Sequence, residues 1–313
     1  MPSRSTGFIA AATFILAAVV PALAGCSGKT PTPLPSVRSM TVTAYEQVLT
    51  GIDKGLESDF QRLNSARTSP AVSAAVTATE GDVARDLTLL QRSVPPPRFK
   101  TGSAAMISAV RGFDTALVGA ASAASVGQVC AGTSAVALIS RYAATARLQS
   151  AEAQLSAVDP THLLHLGSFL PPVTADTNRR LANGTLIKRA SPSGLGEMKV
   201  DNSGGSADAV VSLVSSNGVT AAAVYVRARS SATVHGIHDG AYQVYVTDGS
   251  DWETPENLFA RNCDFQKFNQ SVDFRTKISG NTTGYTFYDV KITPTVNGNA
   301  TESKVPPARF PSP

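Results

Sequence analysis

A chain of 313 residues with 42% hydrophobic content supports real cores in two domains of ordinary size, and low-complexity tracts do not dominate it. Its 27 Lys and Arg against 23 Asp and Glu leave a formal charge of +4, spread thinly with no dense basic block, so no nucleic acid partner is expected.

The N-terminus divides as an export signal does. Arg4 supplies charge, residues 8–20 are apolar, and small residues follow Pro21. An apolar core of about 13 residues is too short to cross a bilayer of roughly 30 Å as a helix. The segment ends in Leu23, Ala24, Gly25, Cys26. This run resembles the lipobox of bacterial lipoproteins, in which a lipid-bearing Cys follows two small residues. The resemblance implies removal of residues 1–25 and diacylation of the Cys26 thiol. It also implies a mature chain held on the extracytoplasmic face of the cell membrane, since two acyl chains give lasting anchorage where one is marginal. The competing reading is an ordinary secretory signal with a chance cysteine. Residues 26–39, with Pro31, Pro33 and Pro35 among Ser, Gly and Thr, read as a tether.

With Cys26 lipidated, Cys130 and Cys263 remain in an oxidising compartment. They read either as one disulfide closing a loop of roughly 130 residues or as two buried thiols.

Residues 40–158 read as helical. Tyr45, Leu49, Ile52, Leu56, Phe60 and Leu63 recur at three- and four-residue steps, the signature of one helix face. Ser69 before Pro70 restarts a helix bearing Val72, Val76, Val83, Leu87 and Leu90. Pro95, Pro96 and Pro97 mark the middle connection. A third helix carries Met106, Val110, Phe113 and Leu117, and a last one Val136, Ile139, Tyr142, Leu148 and Leu155. The expectation is a four-helix up-down bundle with a thin, Ala-rich core. The run from Cys130 through Gly132, Thr133 and Ser134 to Ala135 resembles a helical repeat found in exported actinobacterial proteins. That resemblance transfers no catalytic residue.

Residues 159–182, with Pro171 and Pro172, read as an interdomain linker. His162 and His165 stand three apart, a spacing that lets both face one metal on a helix, but two ligands alone make a poor zinc site. The alternative is an amphipathic linker docked through Leu163, Leu164 and Leu166.

From 183 to 298 the period changes to two: Val224 and Val226; Tyr242, Val244 and Val246; Val272, Phe274 and Ile278; Tyr288, Val290 and Ile292. Asn217-Gly218, Asp239-Gly240, Asp248-Gly249 and Gly280-Asn281 supply turns. The expected architecture is an antiparallel β-sandwich, which makes the whole chain an α+β multidomain protein. The stretch Gly236, Ile237, His238, Asp239, Gly240, Ala241, Tyr242 resembles the β-sandwich modules of the carboxypeptidase-regulatory-like and PEGA-like type. The resemblance implies a non-catalytic display or binding module. Residues 299–313, with Pro306, Pro307, Pro311 and Pro313, read as a disordered tail.

Three clusters in this half bear on function. Trp252, Tyr242 and Tyr245 are candidate ligand-binding aromatics, able to stack on sugar rings or anchor a peptide if exposed together, and otherwise core. His235, His238 and Asp239 with Ser230 or Ser231 offer triad residue types without a nucleophile elbow. Asp248, Asp251 and Glu253 fall in an apparent loop of oxygen donors whose spacing departs from an EF-hand. The functional expectation is a lipid-anchored, non-enzymatic binding or scaffolding protein of the cell envelope, with a membrane, an envelope protein or a glycan as partner, no catalytic residues, no metal and no cofactor. The alternatives are a carbohydrate- or peptide-binding lipoprotein that presents ligand to a transporter or wall enzyme, and an envelope hydrolase.

Overall fold

The computed structural model describes residues 38–162, 164–191, 193–293 and 301–312. The expected signal segment, Cys26 and nearly all of the expected tether lie outside the described residues.

The helical part begins with α1 (Val42–Asn64), α2 (Ser69–Arg92) and α3 (Lys100–Ser125). Thr41 caps α1 by accepting from the Ala44 amide at 3.2 Å. Thr68, one residue before the expected Ser69, does the same for α2 from Ala71 at 3.3 Å, with Pro70 in the first turn. The triple-proline connection turns Phe99 inward, where it is fully buried. By length and composition α3 passes as a membrane-crossing helix. Here, however, its Met106, Val110, Phe113 and Leu117 pack into a core shared with α1 and α2.

The four-helix up-down bundle expected from the sequence is not what forms. The last helix is split into α4 (Gly132–Ser140) and α5 (Ala143–Ser156), giving five α-helices among the described residues. Tyr142 between them is extended, at φ −67° and ψ 138°. The Thr145 hydroxyl donates to the Ile139 carbonyl at 2.6 Å, which satisfies an acceptor that the helix would otherwise use. Arg141 is drawn outward to the Thr174 carbonyl (3.0 Å) and Asp176 (2.7 Å).

Among the described residues twelve strands follow: β1 (Leu186–Lys188), β2 (Gly196–Asp201), β3 (Asp208–Ser215), β4 (Thr220–Val226), β5 (Ser231–Ile237), β6 (Gly240–Glu253), β7 (Leu258–Phe268), β8 (Val272–Phe274), β9 (Thr276–Ser279), β10 (Thr282–Tyr285), β11 (Phe287–Lys291) and β12 (Glu302–Lys304). They form three sheets rather than one antiparallel sandwich. The largest runs β1-β4-β3-β6-β7-β12, with β8 added to β6. The second is β11-β2-β5, in which β11 and β2 pair in parallel, and the third is the β9–β10 hairpin. The first two share a core: Met198, Val200, Val234 and Ile237 of the small sheet meet Val211, Val224, Val244 and Val246 of the large one.

Asp248-Gly249, expected as a turn, lies inside the continuous strand β6 at a bulge facing β7. Glycine is required there by close approach, since a Cβ would sit 2.6 Å from Phe259 Cβ. The tail also departs from expectation. Residues 302–304 pair with β7, and Phe310 makes edge-on contacts with Tyr245 and Phe265, centroids 5.6 and 5.1 Å away. A segment without hydrophobic period is ordered by one strand pairing and one aromatic anchor.

Of the sequence readings of residues 159–182, the docked segment is the one found, through Leu164 and Leu166, while Leu163 lies outside the described residues. Leu164, Leu166, Phe169 and Leu170 are buried in the helical core. The Asp53 carboxylate accepts from the Gly167 amide (2.8 Å), the Ser168 amide (3.0 Å) and the Ser168 hydroxyl. Residues 159–182 are therefore a strap running from the end of α5 along the helices to the β region.

Candidate functional site

The helices and strands meet along a seam built by residues 127–134. The segment between α3 and α4 lies antiparallel to the outer edge of β7, bridging Val129 to Arg261. Cys130 N donates to Ala260 O and Cys263 N to Gly127 O, each at 2.8 Å. A strand edge that would otherwise present unpaired amides is thus covered. Cys130 and Cys263 are joined by a disulfide, Cα atoms 6.4 Å apart and 133 residues apart in sequence. Of the two sequence readings, the bridge is the one found.

The residues after Cys130 each have a task at this seam. The Gly132 amide donates to Ala66 O at 2.9 Å. Thr133 donates its hydroxyl to Glu253 at 2.5 Å, and the Ser134 hydroxyl reaches the Ala260 carbonyl at 2.7 Å. Arg67, from the α1–α2 connection, pairs with Glu256 at 2.6 Å.

Beside the seam lies a cleft of about 220 Å³ whose walls include Thr133, Asp176, Thr177, Arg179, Asp251 and Arg261. Its floor is a buried ionic network. Arg179 Nε and Nη2 grip Asp251 at 2.8 and 2.9 Å, and Nη2 also reaches Glu253 at 2.9 Å. The Thr177 hydroxyl and the Arg179 amide complete the shell of Asp251 at 2.6 and 2.9 Å. Burial pushes the Asp251 carboxyl up, but these donors outweigh it and hold it down at about 2. A carboxylate so held stays ionised and is a weak base. A second network stands nearby: Arg180 forks onto Asp208 at 2.7 and 2.5 Å, Ala228 N adds a donor at 2.8 Å, and Tyr225 donates its hydroxyl to the same carboxylate. Asp208 is likewise lowered against the burial that would raise it.

The candidate aromatics are not brought together. Trp252 is 1% exposed and packs edge-on against Tyr225 and Phe259, centroids 5.5 and 5.0 Å away, on the outer face of the large sheet. Tyr242 is buried on the opposite face against Phe274. Tyr245 alone is half-exposed, beside Phe310.

Nor is a triad assembled. His235 faces Glu197 at 3.0 Å, His238 is 3.4 Å from the Ser193 hydroxyl, and Asp239 accepts from the Thr276 amide and hydroxyl at 2.8 and 2.9 Å. His162 and His165 turn to different carboxylates, Asp159 at 2.8 Å and Glu152 at 2.7 Å. Among the described residues no three His, Cys, Asp or Glu side chains converge as metal ligands. The apparent oxygen-rich loop is strand, and Asp251 and Glu253 are committed to Arg179.

Sequence reasoning missed Arg179 and Arg180. Their signal was a dibasic pair in a segment too polar to pack, with three carboxylates downstream and no rule to match them. Comparison with protein-family models, with curated proteins and with solved structures gives no match to this chain.

Proposed function

We propose that this is an exported, lipid-anchored protein of the bacterial cell envelope that acts by binding rather than by catalysis. The observation that supports the reading best is the Cys130–Cys263 disulfide, a bond that persists in oxidising compartments and not in a reducing cytosol. It uses both cysteines other than Cys26, leaving for lipid the one that closes the lipobox-like run.

The architecture suits a display role. The chain enters α1 at the end where Met40 N donates to Val94 O, and the seam with the β region lies at the opposite end, beside Leu63 and Asn64. The 23 residues of α1 span roughly 35 Å at 1.5 Å per residue. Within the described residues the chain thus starts at the helical end, with the β region at the other. The disulfide, the buried strap and the ionic floor make helices and strands one rigid presenter.

The test is acyl labelling and fractionation of the full-length chain in a bacterial host. The wild type is expected in the membrane fraction with a lipid label, and Cys26→Ala in the soluble extracytoplasmic fraction without one. Membrane retention of a processed Cys26→Ala chain overturns the anchoring half. Turnover of ester, peptide or wall-glycan substrates by the purified protein overturns the non-catalytic half.

A further inference from the structure

The outer face of β6 and β7 carries an aromatic slot that the chain's own C-terminus occupies. Tyr245 and Phe265 stand on neighbouring strands, and the ring of Phe310 meets both edge-on. None of the three rings is fully buried. Phe310 lies in the segment Pro306, Pro307, Ala308, Arg309, Phe310, Pro311. Its backbone at Pro306 (φ −55°, ψ 133°) and Phe310 (φ −75°, ψ 129°) is near polyproline II, on either side of one 3-10 turn. Beside the seated ring, on the Phe265 side and away from Tyr245, remains a gap of about 160 Å³ whose walls join Phe259, Phe265, Phe310 and Pro311 to polar residues such as Arg67 and Glu256.

This segment is held lightly. Residues 301–304 are fastened by the β12 pairing, by bonds of Thr301 and Ser303 to Asn269 and by Lys304 on Asp264, but from Val305 onward the hydrogen bonds to the body among the described residues are Val305 N to Phe265 O at 2.9 Å and the Thr220 hydroxyl to Ser312 O at 2.6 Å. Pro307, Ala308 and Arg309 are exposed. By contrast, β6 is paired on both sides across its middle, residues 245–249, to β3 and β7. Few buried contacts and few bonds make a segment that opens locally while the core stays folded.

We propose that the Tyr245–Phe265 slot is a binding site for an extended, proline-flanked aromatic peptide of a partner protein, and that residues 306–312 are its resident intramolecular ligand, displaced when the partner binds. Aromatic grooves take preformed polyproline II segments because little ordering entropy is lost, and an aromatic side chain in the slot supplies the anchor. The seated tail has this composition and backbone, so the site's ligand chemistry is displayed by its occupant. A tethered ligand competes at an effective concentration of roughly millimolar, so the intact chain binds a free peptide weakly until the tail is released. The proposal rests on the binding half of the functional reading and is independent of lipidation.

The test uses the full chain, wild type and Phe310→Ala, with a fluorescent peptide copying residues 304–313 and a copy in which its Phe is Ala. Phe310→Ala is expected to bind the first peptide at least tenfold more tightly than wild type does. The Ala peptide is expected to bind neither chain, and adding Tyr245→Ala to the Phe310→Ala chain should abolish the gain. Equal, absent or Phe-independent peptide binding by a folded Phe310→Ala chain overturns the site. If that variant does not fold, hydrogen exchange in the wild type decides. The Phe310 amide, which donates to Pro307 O within the segment, is expected to exchange at least tenfold faster than the amides joining β3 to β6, and equal protection overturns the displaceable tail.

Discussion

The Cα of Gly132 lies so close to Leu63 that a Cβ built on it would stand 1.9 Å from the Leu63 carbonyl oxygen, with Asn64 backbone atoms at 2.9 Å. This is the tightest junction between the end of α1 and the start of α4. Backbone cannot retreat as a flexible side chain does, so the helices must part to admit even a methyl group. Gly132→Ala is expected to cost about 3 kcal/mol, the upper range for overpacking. A urea titration should show a lower midpoint at unchanged slope. A midpoint within error of wild type would show that the junction yields freely.

The disulfide closes a loop of 133 residues, which on the chain-entropy model contributes about 5 kcal/mol. Removing it with Cys130→Ala and Cys263→Ala together should lower the melting temperature by about 10 °C or more, at 2–4 °C per kcal/mol for a domain of this size. The transition should remain single, because the Cys130–Ala260 and Cys263–Gly127 backbone bonds and the Thr133–Glu253 contact persist without the sulfur bridge. Two resolved transitions would mean that helices and strands are separate folding units held only by that bond.

Much of the core is legible in the sequence. Tyr45, Leu49, Ile52, Leu56, Phe60 and Leu63, picked out by spacing alone, are all buried. So are Val224, Val226, Val244 and Val246, picked out by alternation. What escapes is decided by tertiary contacts that leave no period. The split at Tyr142 has no Gly or Pro to announce it and depends on Thr145 and on Arg141 reaching the strap. The strap and the tail look like spacers because one buried side chain every few residues is no pattern. For Trp252, between two acids and near a glycine, the sequence leaves exposed ligand-binding aromatic and core side by side, and the core reading is the one found. In strand β6 it turns into the Tyr225 and Phe259 cluster while its acidic neighbours face Arg179.

Two sets of carboxylates pull stability in opposite directions with pH. Asp251, at about 2, lies below its unfolded value near 3.8, so its contribution is present above pH 4 and lost as pH falls through 2. Asp208 and Asp264 are lowered as well and act in the same sense. Asp248 is pushed up to about 6 by burial and by the charge of Asp264, and Asp86 to about 6 chiefly by burial. Between pH 4 and 6 the folded chain then holds more protons than the unfolded one, and stability declines as pH rises. Maximum stability is expected near pH 4, with Asp248→Asn flattening the decline and gaining about 1 kcal/mol at pH 8, a figure reduced for partial exposure. Melting temperatures that climb steadily from pH 4 to 7 would contradict this ordering.

Arg179 decides whether the strap and β6 stay together. Its guanidinium is half exposed, yet the Asp251 and Glu253 side chains that it neutralises are each 5% exposed. Arg179→Ala leaves two buried carboxylates without their cation, a situation that costs about 3–5 kcal/mol. Arg179→Lys should recover only part of this, because an ammonium cannot reproduce the forked contact with both Asp251 oxygens. The penalty of Arg179→Ala should shrink below pH 4, where a carboxyl released from its guanidinium takes up a proton in the folded state. Urea unfolding of the two variants at pH 3.5 and 7 measures both effects. A penalty that is the same at the two pH values would mean that Arg179 contributes packing rather than charge, and that the floor of the cleft is held by Thr177 and Thr133 instead.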